Sequence, residues 1–235
     1  MSTIAENIAT VEARIDRACE AAGRARDEVR LLPVSKTHPM SAVREAQACG
    51  YGLFGENKVQ EVVSKSAELQ PDDAIAFSVI GHLQTNKAKL VAELASEFQA
   101  LDSLKLAREL DKRLVALDKR LPVLIQVNSS REPQKSGVLP EDVVELVESL
   151  AECTNLDVRG LMTVAVKGTD DEVAACFQTM RALQAQLRAT DALGSAWDEL
   201  SMGMSGDLHL AIAHGSTCVR VGTAIFGARD YGTVA

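Results

Sequence analysis

Leu31-Leu32-Pro33-Val34-Ser35 is a short apolar run that stops at Lys36-Thr37, and a helical pattern follows it, opening near Pro39 and ending at Gly50. Proline suits a first helical turn and glycine a C-terminal stop. Strand, polar turn and helix together make one β/α unit, and the unit recurs down the chain. Gly52 to Gly55 precedes a helical pattern from Asn57 to Leu69, and Phe77 to Gly81 precedes one reaching Ser96, with Thr85 as its expected cap. Phe98 to Leu101 leads to Ser103, the expected cap of a helix carrying Leu104, Ala107, Leu110, Leu114 and Leu117. Val123 to Val127 is followed by a helix from Pro140, and Val158 to Val164 by one carrying Val173, Phe177, Met180 and Leu187. Glu199 to Met202 leads to Leu208, Ala211 and Ile212, and Cys218 to Val221 leads to Ile225-Phe226-Gly227.

Strands separated by helices pair in parallel through βαβ crossovers. Eight such units predict an α/β fold, a (β/α)8 TIM-type barrel, with an open doubly wound sheet as the alternative. Upstream, Ile4, Ile8, Val11, Ile15, Ala18 and Ala22 recur at spacings of three and four before Gly23, which predicts an extra N-terminal helix. A length of 235 residues with 46% hydrophobic content suits one barrel domain over residues 1–235. Two domains of about 115 residues are also compatible with length alone. Aromatics make up only 3%, so the core is expected to be aliphatic.

The net charge of −8 argues against a nucleic-acid partner, which calls for a basic face. Cys19, Cys49, Cys153, Cys176 and Cys218 are odd in number and contain no C-x-x-C pair, so neither a disulfide framework nor a zinc site is expected. Reduced thiols fit a cytoplasmic protein. No basic segment precedes an apolar block at the N-terminus, and no run of ~18 apolar residues offers a membrane span.

Active sites of β/α barrels lie at the carboxyl ends of the strands, so the residues just past each run are the candidates. They are Lys36 and Thr37, Glu56 and Asn57, His82, Asp102 and Ser103, Asn128 and Ser129, Thr163, Ser201 to Ser205, and Arg220 with Gly222 and Thr223. A partly desolvated lysine at such a rim can form a Schiff base, although a lone lysine there more often reaches solvent. Ser201-Met202-Gly203-Met204-Ser205-Gly206-Asp207 places glycines and hydroxyls between a strand and a helix. That suits a phosphate, and equally suits an ordinary capped loop with Ser205 or Asp207 as the cap. Arg220-Val221-Gly222-Thr223 ends the eighth run, and barrel phosphate sites commonly use the loops after strands seven and eight. Arg220 alone would equally serve as a rim ion pair. His38, His82, His209 and His214 form no metal pattern, so no metal is expected.

These stretches resemble the pyridoxal 5′-phosphate (PLP) homeostasis protein family, the alanine racemase N-terminal-like PLP-binding proteins. The matching segments are Val34-Ser35-Lys36-Thr37, Phe54-Gly55-Glu56-Asn57, Ile80-Gly81-His82-Leu83-Gln84-Thr85-Asn86-Lys87 and Gly160-Leu161-Met162-Thr163. To them are added Leu200 to Asp207 and Gly215 to Gly222, so the set spans nearly the whole chain in order. The resemblance implies PLP joined to Lys36 as an internal aldimine, with Lys36 as the catalytic position. It implies phosphate contacts from Ser201, Met202 and Ser205 and from Gly222 and Thr223, and it sets Arg220 near the pyridine nitrogen. Asn57 and His82 fall on motif positions beside the cofactor. Arg131 departs from the pattern, standing where a small residue, usually glycine, is expected.

PLP acts as an electron sink best when its pyridine nitrogen is protonated. Arginine can only donate to that nitrogen, which weakens the sink. Racemases of similar fold add a tyrosine from a second domain. This chain has only Tyr51, before the second strand, and Tyr231, in the tail. The expectation is therefore a monomeric PLP-binding protein that buffers or delivers the cofactor, with PLP-dependent apoenzymes as acceptors and little turnover. The alternatives are a PLP-dependent amino-acid racemase or lyase, and an aldolase barrel without PLP that uses Lys167.

Overall fold

The computed structural model describes residues 2–227. Eight parallel strands run β1 (Arg30–Pro33), β2 (Leu53–Glu56), β3 (Ala76–Val79), β4 (Glu97–Leu101), β5 (Leu121–Gln126), β6 (Leu156–Met162), β7 (Glu199–Ser201) and β8 (Cys218–Val221). Their order in the sheet is β1-β8-β7-β6-β5-β4-β3-β2. The two end strands then meet. Val34 bridges Gly55, and the Ser35 N–H donates to the Gly55 carbonyl at 3.1 Å. That contact turns the sheet into a nearly closed barrel, and the open-sheet alternative falls away. It also explains why β1 ends at Pro33 and not at Ser35. The chain leaves β8 at Val34 and changes neighbour to β2.

The helices fill the intervals: α1 (Ile4–Ala21), α2 (Met40–Ala48), α3 (Val59–Ser66), α4 (Ala88–Leu94), α5 (Leu104–Ala116), α6 (Val143–Ser149), α7 (Asp170–Ala189), α8 (Leu208–Ala213) and α9 (Thr223–Phe226). The extra helix α1 opens on a capping box between Thr3 and Glu6, buries Ile8, Val11, Ile15 and Ala18, and is followed by Gly23 at φ 63°. Ser103 caps α5 by accepting from the Leu106 N–H. Two helix starts differ from the sequence reading. Thr85 begins a 3₁₀ turn, Thr85–Lys87, and α4 opens only at Ala88. Pro140 likewise begins a 3₁₀ turn, Pro140–Asp142, ahead of α6.

Successive strand residues face opposite sides, so Arg30, Leu32, Val34 and Lys36 share the face toward the barrel interior while Ser35 points to the helix layer. Phe54, Phe98, Phe177 and Trp197 are fully buried. The interior is not wholly aliphatic, however. Ser78, Gln99, Ser201 and Arg220 are buried with the apolar side chains. Among the described residues, no helix is long and apolar enough to cross a membrane. Tyr231 lies outside the described residues.

Candidate functional site

A cavity of about 510 Å³ opens at the carboxyl ends of the strands. Lys36, Asn57, His82, Ser205, Arg220, Gly222 and Thr223 line it together, though they come from five different β/α connections. Ser201 and Met202 do not line it. Both are fully buried beneath the rim, where the Ser201 hydroxyl accepts from Arg220. The exposed Lys167 is likewise absent from the wall, which leaves the aldolase reading without a site.

Lys36 is half-buried and follows a tightly held Ser35. The Lys65 ammonium, from α3, donates to the Ser35 carbonyl at 2.8 Å and pairs with Glu56. The Ser35 hydroxyl donates to the same Glu56 oxygen at 2.6 Å. Glu56, a candidate from its place in sequence, thus points away from the cavity and anchors the backbone beside Lys36. Burial pushes the Glu56 carboxyl above the usual range, against the opposing pull of Lys65 and Ser35. Its second oxygen has no hydrogen-bond partner.

Arg220 is 4% exposed, with one nitrogen donating to Ser201 Oγ at 2.7 Å and another to the Thr163 carbonyl at 2.7 Å. Burial pushes its pKa down. Opposite, Asn57 is crowded against β3's outgoing turn. A Cβ on Gly81 would lie 2.1 Å from the Asn57 carbonyl oxygen, so only glycine fits there. His82 Nδ1 lies 3.0 Å from Asp102 Oδ2, which orients the ring at the mouth. His38 also lines the cavity and stacks on Phe226 at 5.3 Å. Burial, then the Lys65 charge, push its pKa below the usual histidine value.

The two glycine-bearing loops meet at one end of the cavity. Gly203 adopts φ 95°, and a Cβ there would lie 2.5 Å from Ala211 Cβ. That conformation turns the chain so that Met204, Ser205 and Gly206 reach the wall. The Met204 N–H is used by Asp207, whereas those of Ser205, Gly206, Gly222 and Thr223 have no partner among the described residues. Four free amides at the starts of two short helices form a concave donor surface suited to an anion. Helix α1 braces both loops. Arg14 donates to the Ser205 carbonyl at 2.6 Å and Asn7 to the Ile225 carbonyl at 2.8 Å.

One further strand-end candidate, Asn128, reaches the wall with three residues that the strand-end reading did not single out. Gln126, Asn128, Lys135 and Ser136 come from β5 and its following loop. Gln126 Oε1 is buried without a partner, while Lys135 is tied to Glu132, Ser130 and the Ala165 carbonyl. Their place at the end of β5 and in the loop that follows was the signal that could have marked them. Arg131, in that loop, sits at φ 57°, the left-handed region that explains why glycine is expected there.

Fold and cavity define the class of protein: a (β/α)8 barrel with a lysine, a buried arginine and an anion-suited amide cradle around one opening. Comparison with known proteins supplies the family. A family model described as "Alanine racemase, N-terminal domain" matches residues 6–230, and the chain belongs to that family. It is 48% identical over 237 residues to the pyridoxal phosphate homeostasis protein of Pseudomonas aeruginosa, covering 100% of both chains. It is 42% identical to the protein of the same name from Escherichia coli, covering 98% of this chain and 99% of that one. The structure of PipY from Synechococcus elongatus with PLP bound superposes with a TM-score of 0.85 at 36% identity, over 96% of this chain and 100% of that one.

Proposed function

We propose that the protein binds PLP in this cavity as a Schiff base on Lys36 and serves its cellular buffering or delivery, acting as one barrel unit in the cytoplasm. The observation that carries the reading is the convergence on one wall of Lys36, the Arg220 guanidinium and the free amides of both loops. The relatives' names and the PLP-bound neighbour support the same cofactor. The residues present fit it. The free amides of Ser205, Gly206, Gly222 and Thr223 would take the phosphate, Lys36 the aldehyde carbon, and Arg220 the pyridine nitrogen. Asn57 and His82 would flank the ring. Ser201 and Met202 would act from beneath, as support for Arg220 and the loop.

PLP supplies an electrophilic aldehyde and an electron-accepting ring. Arg220 is a donor only, so it keeps a ring nitrogen set against it unprotonated and weakens the ring's pull on electrons. The half-buried Lys36 would hold the aldehyde carbon, and a neutral primary amine adding there would release the Lys36 amine, the proton given up by the incoming nitrogen passing to Lys36 Nζ. Tyr51, the tyrosine among the described residues, is bonded to Glu12 at the opposite end of the barrel and supplies no acid or base to the cavity. Exchange is therefore favoured over turnover, and PLP-dependent apoenzymes are the expected acceptors of a monomeric donor.

The test is the absorbance spectrum of purified protein before and after borohydride, followed by mapping of the reduced peptide. A reducible band mapped to Lys36, lost in Lys36→Ala, supports the reading. Its absence in the wild-type protein overturns it. Steady deuterium exchange at Cα of a free amino acid would instead favour a racemase or lyase.

A further inference from the structure

Beneath Arg220 the barrel interior holds a line of buried polar groups that nothing above employs. The Ser201 hydroxyl accepts from Arg220 Nη1 at 2.7 Å and donates to Gln99 Oε1 at 2.6 Å. Gln99 Nε2 donates to Glu97 Oε1, which also accepts from Ser78 at 2.7 Å. The other Glu97 oxygen accepts from Arg30 at 2.7 Å, and Arg30 reaches Glu199 at 2.8 Å. Gln99, Ser201 and Ser78 are fully buried, and Glu97 nearly so.

The direction of this line is forced. Serine has one proton, and here it goes to Gln99, so the oxygen must accept from Arg220. Turning the Gln99 amide over would set its oxygen against the Glu97 carboxylate. The three links Arg220–Ser201, Ser201–Gln99 and Gln99–Glu97 therefore all donate from the cation at the cavity toward the Glu97 carboxylate, which also accepts from Ser78 and Arg30. Among the described residues, no carboxylate pairs with Arg220 directly. A buried guanidinium without a counter-charge is costly, and a polarised line of hydrogen bonds leading to a carboxylate offsets that cost. Because β-strand side chains alternate, Glu97 and Gln99 both enter the lumen from β4, spanning the interior from its amino end toward its carboxyl end.

We propose that Gln99 is a positioning residue for the cavity, linking Glu97 through Ser201 to Arg220 and thereby fixing which guanidinium hydrogens face the ligand. This inference rests on the reading of the cavity as a PLP site. Gln99 touches no cavity atom itself. Gln99→Met keeps length and removes both polar ends, so the Ser201 proton loses its acceptor and Arg220 loses its orientation. Gln99→Glu keeps the acceptor for Ser201 and, with one proton shared between residues 99 and 97, keeps the donor as well, because two adjacent carboxyls do not both ionise readily.

The experiment measures the borohydride-reducible band and the rate of PLP release in wild type, Gln99→Met and Gln99→Glu. The expected result is a displaced band and roughly tenfold faster release in Gln99→Met, the effect of losing about one charge-assisted hydrogen bond, with Gln99→Glu within about threefold of wild type. A native band and native release in Gln99→Met overturn the proposal. Equal impairment of both variants also overturns it, since that marks general damage to the core. If Gln99→Met does not fold, Ser201→Ala removes the next link by a smaller change and is judged by the same criteria. If the wild type has no reducible band, the site reading has failed and the link is still tested without ligand. NMR of the Arg220 guanidinium hydrogens should then show slow exchange with solvent in wild type and fast exchange in Gln99→Met or Ser201→Ala, and equal exchange overturns it.

Discussion

Replacing Lys65 by methionine tests the anchor beside Lys36. Lys65 is 5% exposed and Glu56 fully buried, so no water takes over when the ammonium is removed. Glu56 then has two courses. It can stay ionised without a counter-charge, or it can take up a proton. Holding a carboxyl protonated at pH 7, when its unfolded value is about 4.3, costs 2.7 units at about 1.36 kcal/mol each, or roughly 3.7 kcal/mol. Protonation is the cheaper course, since breaking a buried pair costs about 3–5 kcal/mol. The variant should therefore lose about 3–4 kcal/mol at pH 7. The sign of the pH dependence follows from the raised folded value. The folded variant keeps a proton that the unfolded chain has released, so its stability falls by about 1.4 kcal/mol per pH unit above the unfolded value, and its deficit against wild type widens once pH passes the wild-type folded value. Wild-type Glu56 is also raised, but Lys65 opposes the shift, so the wild type's own loss of stability begins at the same unfolded value and ends at a lower pH than the variant's. Urea unfolding at pH 6, 7 and 8, followed through the fully buried Trp197, measures the difference. Glu56→Gln combined with Lys65→Met should restore a flat profile. A deficit below about 1 kcal/mol that does not change with pH would refute the reasoning, because Glu56 would then have to be hydrated.

Three further substitutions probe the cradle and the loops. Gly203→Ala forces a side chain into the left-handed region against Ala211 and should cost about 1–3 kcal/mol in thermal unfolding, with weakened PLP binding. Arg14→Ala removes the brace on the Ser205 carbonyl and should weaken PLP retention roughly tenfold by equilibrium dialysis while the melting temperature moves little. Arg131→Gly relieves a positive φ and should leave the melting temperature within about 3 °C of wild type, whereas the β-branched Arg131→Val should lower it further than that.

The alternation of apolar runs and helical patterns was enough to read all eight strands, because most residues of each strand are buried and appear as a short, mainly apolar stretch between helical patterns. Closure was not legible. It depends on the Val34–Gly55 bridge, a contact between neighbouring units that periodicity does not encode. Strand-end position located most of the cavity wall, but it could not tell which way a side chain points. Glu56 and Lys36 both end strands, yet one turns to the helices and the other to the cavity. The same limit hid the line through the lumen. Phe98 to Leu101 reads as aliphatic, and Gln99 within it marks a buried polar path only once Ser201 and Glu97 are seen on either side. At Arg131 the sequence showed only a departure from the family pattern, and the backbone supplies its reason, a φ of 57° that favours glycine.

The seam between β1 and β2 has a mechanical consequence. On its other side β1 is laced to β8 along Arg30–Pro33, whereas across the seam a single bridge at Val34 joins the ring. The ring is as lightly stitched at β7–β8, where Ser201 pairs with Cys218, so both junctions are tightened from outside the sheet. Lys36 sits two residues beyond Val34, while the amide cradle is braced from outside by α1 through Arg14 and Asn7. The amine end is thus held through the Ser35–Glu56–Lys65 cluster and the anion end through α1, so the two ends of the cavity are anchored separately.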